Sequence, residues 1–224
     1  MARVIDLSLP IGKHWRWFGG SFLVRNHEEG DNFRHTVFTT SVHAFTHVDA
    51  PGHFVKGAAT IEAVPLNWYC GEAAVVDVTQ VGAEQPVTAA ELDRQGGHVR
   101  AGDIAVLRTD WPRRSDYRTL DFWAKAPYTS ADACDWLAER GVKSVGADFP
   151  GDFVLRCEVA DRRRRIAKEE NTTHQLLLAR GIGLIEYLVN LDQLTRPRVM
   201  LYALPLKIVG ADGSPVRAIA VEED

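Results

Sequence analysis

The sequence predicts a mixed α/β fold in a single domain over residues 1–224. Short runs of β-branched and aliphatic residues recur along the chain, and amphipathic helical stretches separate some of them. With 224 residues and 46% hydrophobic content, the chain is long enough to bury one full core. We find no internal repeat and no low-complexity linker, so nothing in the sequence indicates a second domain.

Eight runs are predicted to be strands because Val, Ile and Leu dominate them. In chain order they are Val4–Leu9, Val37–Val42, Ala73–Val78, Ile104–Thr109, Val142–Ala147, Ile182–Leu188, Val199–Leu206 and Val216–Val221.

Three helices are predicted from their terminal residues. Thr88 and Glu91 form a capping box at the start of the first. The second is an amphipathic stretch, Ala131–Arg140, which follows Ser130 and ends at a glycine. The third begins near Thr172 or Thr173 and ends at Gly181. Because it lies between the Val142 and Ile182 strands, the three elements are predicted to form one crossover unit.

Composition limits the classes of binding partner and the cellular compartment that we expect for this protein. A net charge of −4 provides no basic field for nucleic acid or for an anionic membrane. The cysteines, Cys70, Cys134 and Cys157, are odd in number and widely spaced, which predicts reduced packing residues rather than disulfides or a thiolate zinc site. The N-terminus lacks an apolar signal core and no run reaches about 18 apolar residues, so we expect a cytoplasmic protein.

The segment H-A-F-T-H-V-D-A-P-G-H carries most of the functional information. It places His43, His47, Asp49 and His53 within eleven positions. Such groups must be hydrogen-bonded, charged or bound to a cation when they are buried, so the cluster predicts a metal site. A hydrogen-bonded polar turn is the alternative interpretation.

A strand conformation would bring three of these ligands together. The preceding residues, Thr36 to Thr40, are β-rich, and Pro51 prevents a helix from running through the cluster. Positions 43, 47 and 49 share one face of a strand, whereas on a helix Asp49 would leave the face shared by the two histidines. We therefore expect a strand that runs into a loop.

The segment resembles the signature of the cyclase family of metal-dependent amidohydrolases, H-x-G-T-H-x-D-x-P-x-H, a family that includes bacterial kynurenine formamidases and isatin hydrolases. All fixed positions match except Phe45, where the family has glycine. Downstream, N-T-T-H-Q-L-L-L-A-R-G around His174 and I-G-L-I-E-Y around Glu186 also resemble the family, as does the twelve-residue spacing between the two. The run D-G-S-P-V-R-A-I-A-V from Asp212 resembles its closing strand.

The resemblance implies the family's swivelling β/β/α architecture, assembled into homodimers or homotetramers. It also implies that His43 and His47 bind one ion and His174 a second, and that Asp49 and Glu186 touch both. Carboxylates can bridge two ions about 3.5–4 Å apart. Histidine and carboxylate ligands without thiolates suit zinc, manganese, iron or cobalt, and we expect one or two zinc or manganese ions per chain.

In the family, the position of His53 is the catalytic acid/base, and a fourth metal ligand or a loop hydrogen bond is the alternative for this residue. Trp17 in W-F-G-G resembles the family's W-P-G-D turn, whose tryptophan lines the substrate pocket. Phe45 has the strand parity of His43 and His47, so its ring is expected to face the metal, and its side chain is expected to disfavour the positive φ that glycine adopts. The run Arg162–Arg165, with acidic residues on both sides, predicts a solvated mixed-charge helix or a subunit contact.

The expected activity is hydrolysis of a carbon–nitrogen bond in an amide, cyclic amide or formamide of a small aromatic or cyclic substrate. A cation-activated water attacks the carbonyl, and His53 moves the proton. Three alternatives stay open. A mononuclear iron oxygenase would use His47, Asp49 and His174 as a facial triad. The others are a non-catalytic metal-binding or sensor domain and a lactone-hydrolysing or cyclising member of the same family.

Overall fold

A computed structural model describes residues 2–161 and 163–223. Its strands are β1 (Arg3–Asp6), β2 (Gly19–Arg25), β3 (His35–Thr40), β4 (His47–Asp49), β5 (Cys70–Asp77), β6 (Pro86–Val87), β7 (Ile104–Arg108), β8 (Tyr128–Thr129), β9 (Ser144–Ala147), β10 (Gly183–Glu186), β11 (Arg198–Tyr202), β12 (Gly213–Pro215) and β13 (Ile219–Glu222). Its α-helices are α1 (Ala89–Gln95), α2 (Trp111–Arg114), α3 (Leu120–Ala124), α4 (Ala131–Glu139), α5 (Leu155–Ala160) and α6 (Thr172–Leu178).

A nine-stranded mixed sheet organises the fold, in the order β1-β13-β11-β5-β7-β9-β10-β4-β12. The central strands β5, β7, β9 and β10 run parallel, and the strands outside them pair antiparallel. The predicted crossover is confirmed, because α6 lies between β9 and β10 in the chain and those strands are parallel neighbours. The mixed α/β class predicted from the sequence is therefore confirmed.

Both faces of the sheet are buried, and β5 shows how the sequence achieves this. Ala74 and Val76 belong to one apolar cluster, with residues of α1, α3, α4 and α6, whereas Ala73 and Val75 belong to a second cluster on the opposite face. Successive side chains of a strand point to opposite faces, so an unbroken apolar run marks a strand covered on both sides. No helix in the described part of the chain is long and apolar enough to cross a membrane.

All eight predicted strand runs contain an observed strand, and the capping box at Thr88 and Glu91 is present at the start of α1. The last run was predicted too early, because β13 begins only at Ile219. The sequence also missed β2, which pairs with β3 in a separate hairpin, and the run from Asp212 that was expected to be one closing strand contains two strands, β12 and β13.

The expectation of a continuous strand through His43 is wrong. The hairpin strand β3 ends at Thr40 and β4 begins only at His47, with turns between them. Phe45 lies in these turns with a φ of 57°, a left-handed conformation that cannot belong to a strand. The expectation that a phenylalanine would keep this position out of positive φ is therefore also wrong, and the backbone retains the conformation that a glycine would favour.

Candidate metal centre

Two neighbouring strands and one helix bring four ligand-type side chains together. β4 presents His47 and Asp49 on the same face. β10 pairs antiparallel with β4 and places Glu186 directly opposite His47. His174 lies in the first turn of α6, the helix that precedes β10. The side chains of all four are at most 9% exposed, so the cluster is buried.

Each carboxylate of the cluster lies close to both imidazoles. His47 Nε2 is 3.2 Å from Asp49 Oδ1 and 3.4 Å from Glu186 Oε2. His174 Nε2 is 3.2 Å from Asp49 Oδ2 and 3.6 Å from Glu186 Oε1. Asp49 and Glu186 are thus positioned between the two histidines, as bridging carboxylates are in a two-ion site.

Hydrogen bonds on the far sides of the two imidazoles define which nitrogen carries the proton. His47 Nδ1 is 2.8 Å from the carbonyl oxygen of Phe45, which can only accept, so this nitrogen is the donor. His174 Nδ1 donates to the Asp152 carboxylate. Both arrangements leave Nε2 as the nitrogen that faces the cluster. Histidine ligands of metals have this arrangement, in which the other ring nitrogen donates to a carbonyl or a carboxylate.

The cluster holds more buried negative charge than its neutral histidines can balance. Although burial disfavours a charged imidazole, Asp152 and Glu186 hold the pKa of His174 well above its usual value. Although burial disfavours a carboxylate, His47 and His174 hold the pKa of Asp49 well below its usual value. The carboxylates around His174 thus favour positive charge at this cluster, and a bound cation would supply it.

The donor set fits a divalent cation. His47 Nε2 and Asp49 Oδ2 are fully buried and have no hydrogen-bond partner among the described residues. Unsatisfied buried polar atoms are costly, and a bound cation would satisfy both of these atoms. The ligand atoms of His47, Asp49 and Glu186 lie within 4.8 Å of one another, as do those of His43, Asp49 and His53. Either group could hold a divalent metal ion.

His43 reaches the cluster from the turns before β4 and not from the strand. Its Nδ1 is 2.7 Å from Asp49 Oδ1 and its Nε2 is 2.9 Å from Asp212 Oδ2. Although burial opposes ionisation, these two carboxylates raise the pKa of His43 to about 9. His43 thus lies beside the four-residue cluster, with one nitrogen toward Asp49.

His53 stands next to His43 at the wall of a cavity. It ends a short 3-10 helix, Pro51–His53, and its ring stacks on that of His43 with the centroids 3.8 Å apart. Its Nδ1 is 2.9 Å from Asp212 Oδ2. Burial lowers the pKa of His53 below its usual value, which favours the neutral, basic imidazole.

The cavity has a volume of about 490 Å³, and its lining includes His43, His47, His53, His174 and Glu186. Trp17 also lines it, as expected from the sequence. Phe45 does not belong to this lining: it is 3% exposed and packs behind Trp17, with ring centroids 4.6 Å apart. The left-handed backbone turns its ring into the aromatic core, so its contact with the cavity is indirect.

Sequence reasoning missed Asp152 and Asp212, which bind the site histidines from outside the ligand cluster. Asp152 follows the end of β9 in a loop, and the carboxyl ends of parallel strands commonly hold functional side chains, so position was the one available signal. Asp212 begins the D-G-S-P stretch that was assigned to a closing strand.

The described members of the arginine run, Arg163 to Arg165, are not helical, because α5 ends at Ala160, but they are exposed, as expected of a solvated face. Arg164 pairs with Glu170 and also lines the cavity. Arg162 lies outside the described residues. Two other residues that line the cavity, Arg16 and Glu158, form an ion pair, with Arg16 Nη2 3.1 Å from Glu158 Oε2. The cavity wall therefore also carries charged side chains of both signs that do not belong to the ligand cluster.

Comparisons with known proteins agree with the architecture. The Cyclase family model matches residues 5–151. A kynurenine formamidase from Bordetella petrii is 32% identical over 213 residues, which cover 95% of this chain and 88% of that protein. A kynurenine formamidase from Bacillus cereus is 29% identical over 220 residues, which cover 96% of this chain and 95% of that protein. Isatin hydrolase A from Labrenzia aggregata, solved with benzyl benzoate bound, has the same fold, with a TM-score of 0.80 at 22% identity, covering 100% of this chain and 94% of that chain. The family model and the near full-length relatives show that this chain belongs to the cyclase family.

Proposed function

We propose that this protein is a metal-dependent hydrolase that cleaves a non-peptide carbon–nitrogen bond in a small aromatic or cyclic amide, imide or formamide. One observation carries the proposal: the buried histidine and carboxylate groups that could hold a metal border the same cavity as His53, an imidazole whose pKa is lowered by burial. The kynurenine formamidase relatives, which align along almost the whole chain, support the reaction class.

The residues that would hold the cation are His47, Asp49, His174 and Glu186, with His43 beside them. Nitrogen and carboxylate donors without a thiolate favour zinc or manganese. When bound, a divalent ion supplies Lewis-acid polarisation of a carbonyl and lowers the pKa of water toward neutrality.

His53 supplies the proton transfer in this proposal. Hydrolysis of an amide requires a proton to leave water and another to reach the departing nitrogen, and a neutral imidazole can perform both steps in turn. His53 is suited to this because it lines the cavity and because burial keeps its pKa from rising. Its Nδ1 is held by Asp212, so its second nitrogen is the one available to a substrate.

Trp17 provides the apolar wall. Its indole packs between Phe45, at 4.6 Å, and Trp123, at 5.1 Å, measured between ring centroids. A ring held on two sides is preorganised and can stack on a flat substrate without losing much conformational freedom. This wall supports the assignment of an aromatic or cyclic substrate.

The test is a substrate panel with metal-reconstituted protein. Formamides, cyclic imides, lactams and lactones are offered after chelation and after reloading with zinc or manganese, while dioxygen uptake is monitored. We expect metal-dependent hydrolysis of a C–N substrate without oxygen consumption. His53→Ala should keep its metal and lose about 10²–10⁴-fold in rate, the usual contribution of general acid/base catalysis. His27→Ala, on the exposed hairpin, is the matched control.

Three outcomes would contradict the proposal or the role it gives to His53. Oxygen uptake coupled to product formation would favour the oxygenase that uses His47, Asp49 and His174. Hydrolysis confined to lactones would replace the C–N bond by a C–O bond. Loss of metal from the His53 variant would make this residue a ligand.

We also propose that the chain forms a homodimer or homotetramer. Every residue of β2 is exposed, and Phe22 and Phe38 of the hairpin are 58% and 54% exposed. A two-stranded hairpin with exposed apolar side chains is marginal alone in water, so contact with a second copy would stabilise it. Light scattering of the wild type and of a Phe22→Ser, Phe38→Ser variant tests this. The cytoplasmic location stays a prediction.

A further inference from the structure

One carboxylate oxygen contacts two stacked imidazoles. Asp212 Oδ2 is 2.9 Å from His53 Nδ1 and 2.9 Å from His43 Nε2. From these contacts we propose that Asp212 is a positioning residue that keeps the proton of neutral His53 on Nδ1 and so presents Nε2 to the substrate. The proposal rests on the proposed function in one respect, the role of His53 in proton transfer.

The direction of the two hydrogen bonds follows from their chemistry. An ionised carboxylate has acceptors and no proton to donate, so the ring nitrogens that face it must be the donors. For a neutral histidine, the nitrogen that donates determines the nitrogen that is left basic. His53 is therefore left with a basic Nε2, whereas both ring nitrogens of His43 face carboxylates, Nε2 facing Asp212 and Nδ1 facing Asp49.

Asp212 acts from outside the cavity. Its side chain is 44% exposed, and it is absent from the described residues that line the cavity, whereas both histidines are present. Its contacts with the cavity wall are made through the two imidazoles. Its influence must pass through the imidazoles, which makes it a positioning residue rather than a catalytic one.

The local backbone is shaped to receive the rings. The Asp212 carbonyl accepts a hydrogen bond from the Ala50 N–H at 2.9 Å, which ties the loop to the end of β4. At Gly213, an added Cβ would lie 2.8 Å from Cε1 of His43 and 2.8 Å from the carbonyl oxygen of Val48. Any side chain there would displace the His43 ring. Asp212 thus supplies the hydrogen-bond acceptor for the stacked rings, and Gly213 leaves the space that the His43 ring occupies.

The primary test is a measurement of the tautomer, which does not depend on activity. Full-length protein with ¹⁵N-labelled imidazoles, metal-free and zinc-loaded, is studied by two-bond ¹H–¹⁵N correlation at alkaline pH, where an ordinary imidazole is neutral. A His53→Gln variant assigns the His53 signals. We expect the proton on Nδ1 in the wild type and in the control Asp135→Ala, and a shift toward Nε2 in Asp212→Ala. An unchanged tautomer in Asp212→Ala would overturn the proposal.

The second test is kinetic, with metal-saturated enzyme. Asp212→Ala should lower kcat by about 10–100-fold with little change in KM, the usual effect of removing a partner that orients a site histidine. Asp212→Asn, which is nearly isosteric and keeps one acceptor oxygen, should lose less. In a His53→Ala background, Asp212→Ala should have almost no further effect, since the group it acts through is gone. An equal loss in that background would overturn the proposal.

The two proposals fail in different ways. If Nδ1 carries the proton as expected but no substrate is hydrolysed, the proposed function is wrong and the positioning by Asp212 stands. If hydrolysis depends on His53 but the His53 tautomer is unchanged in Asp212→Ala, the positioning role of Asp212 is wrong and the proposed function stands.

Discussion

Phe45 allows a direct test of backbone strain beside the ligand cluster. It is 3% exposed and has a φ of 57°, so replacing it removes a buried ring from a left-handed position. We expect Phe45→Gly to be more stable than Phe45→Ala. This inverts the order found at most buried positions, where glycine is the worse replacement.

The magnitude follows from two contributions. Deleting a buried phenylalanine ring costs about 3–5 kcal/mol, and both variants lose it. The left-handed conformation costs an L-residue about 1–2 kcal/mol, which alanine retains and glycine does not. Glycine loses about 0.5–1 kcal/mol more backbone entropy on folding than alanine. The difference should therefore be about 1 kcal/mol in favour of Phe45→Gly.

The assay is urea unfolding of metal-free protein, followed by circular dichroism, with the m-values compared to ensure that the same transition is measured. Leu92 is the matched control, because it is fully buried in the helix α1. There, Leu92→Gly should be about 1 kcal/mol less stable than Leu92→Ala, the ordinary helical order.

The reasoning is refuted if glycine is the worse replacement at both positions by a similar amount. That result would mean that the backbone at Phe45 is unstrained in solution. A large loss in both Phe45 variants, with the expected order, would also agree with the position of the ring in the core behind Trp17.

Three further predictions concern the metal and the sheet. Glu186→Gln should weaken binding of at least one of up to two divalent ions, and elemental analysis at saturating metal that finds no change would contradict this. Asp152→Asn should lower metal affinity about 10–100-fold, because the Nδ1–H of His174 loses its carboxylate, and competition with a chelator measures the change. At the sheet, burial opposes ionisation of Asp103, but two hydrogen bonds from Arg198 lower the pKa of Asp103 below its usual value. This carboxylate therefore stabilises the fold above its unfolded pKa and ceases to do so as pH falls through its folded pKa. Asp103→Asn should cost about 1.5–3 kcal/mol at neutral pH, and urea unfolding should show the difference disappearing in acid.

The strands and helices could be predicted wherever a local pattern determines them. Continuous apolar runs such as Ala73–Val76 mark strands buried on both faces, and the Thr88 capping box marks the start of α1. The hairpin strand β2 was missed because all its residues are exposed, and exposed strands show no buried periodicity.

The ligand residues could be named from the sequence because their chemistry is unusual at close spacing. His43, His47 and Asp49 lie within seven positions, and so many groups of this type are difficult to bury without a cation. His174 and Glu186 required the resemblance to a known family. Their closeness to the first group depends on the pairing of β10 with β4, which no local pattern reveals.

By itself, the sequence predicted the mixed α/β class and, from residue chemistry and short spacing, the histidine and aspartate cluster at His43 to Asp49. The resemblance to a known family supplied the second ligand pair and the reaction class. Only the tertiary structure decided which groups orient the histidines and where Phe45 points. Asp212 lies 159 residues from His53 and Asp152 lies 22 residues from His174, so their contacts exist only after the sheet has formed. The turns at Phe45 likewise depend on the packing of its ring behind Trp17, since long-range contacts select the left-handed backbone against its local cost.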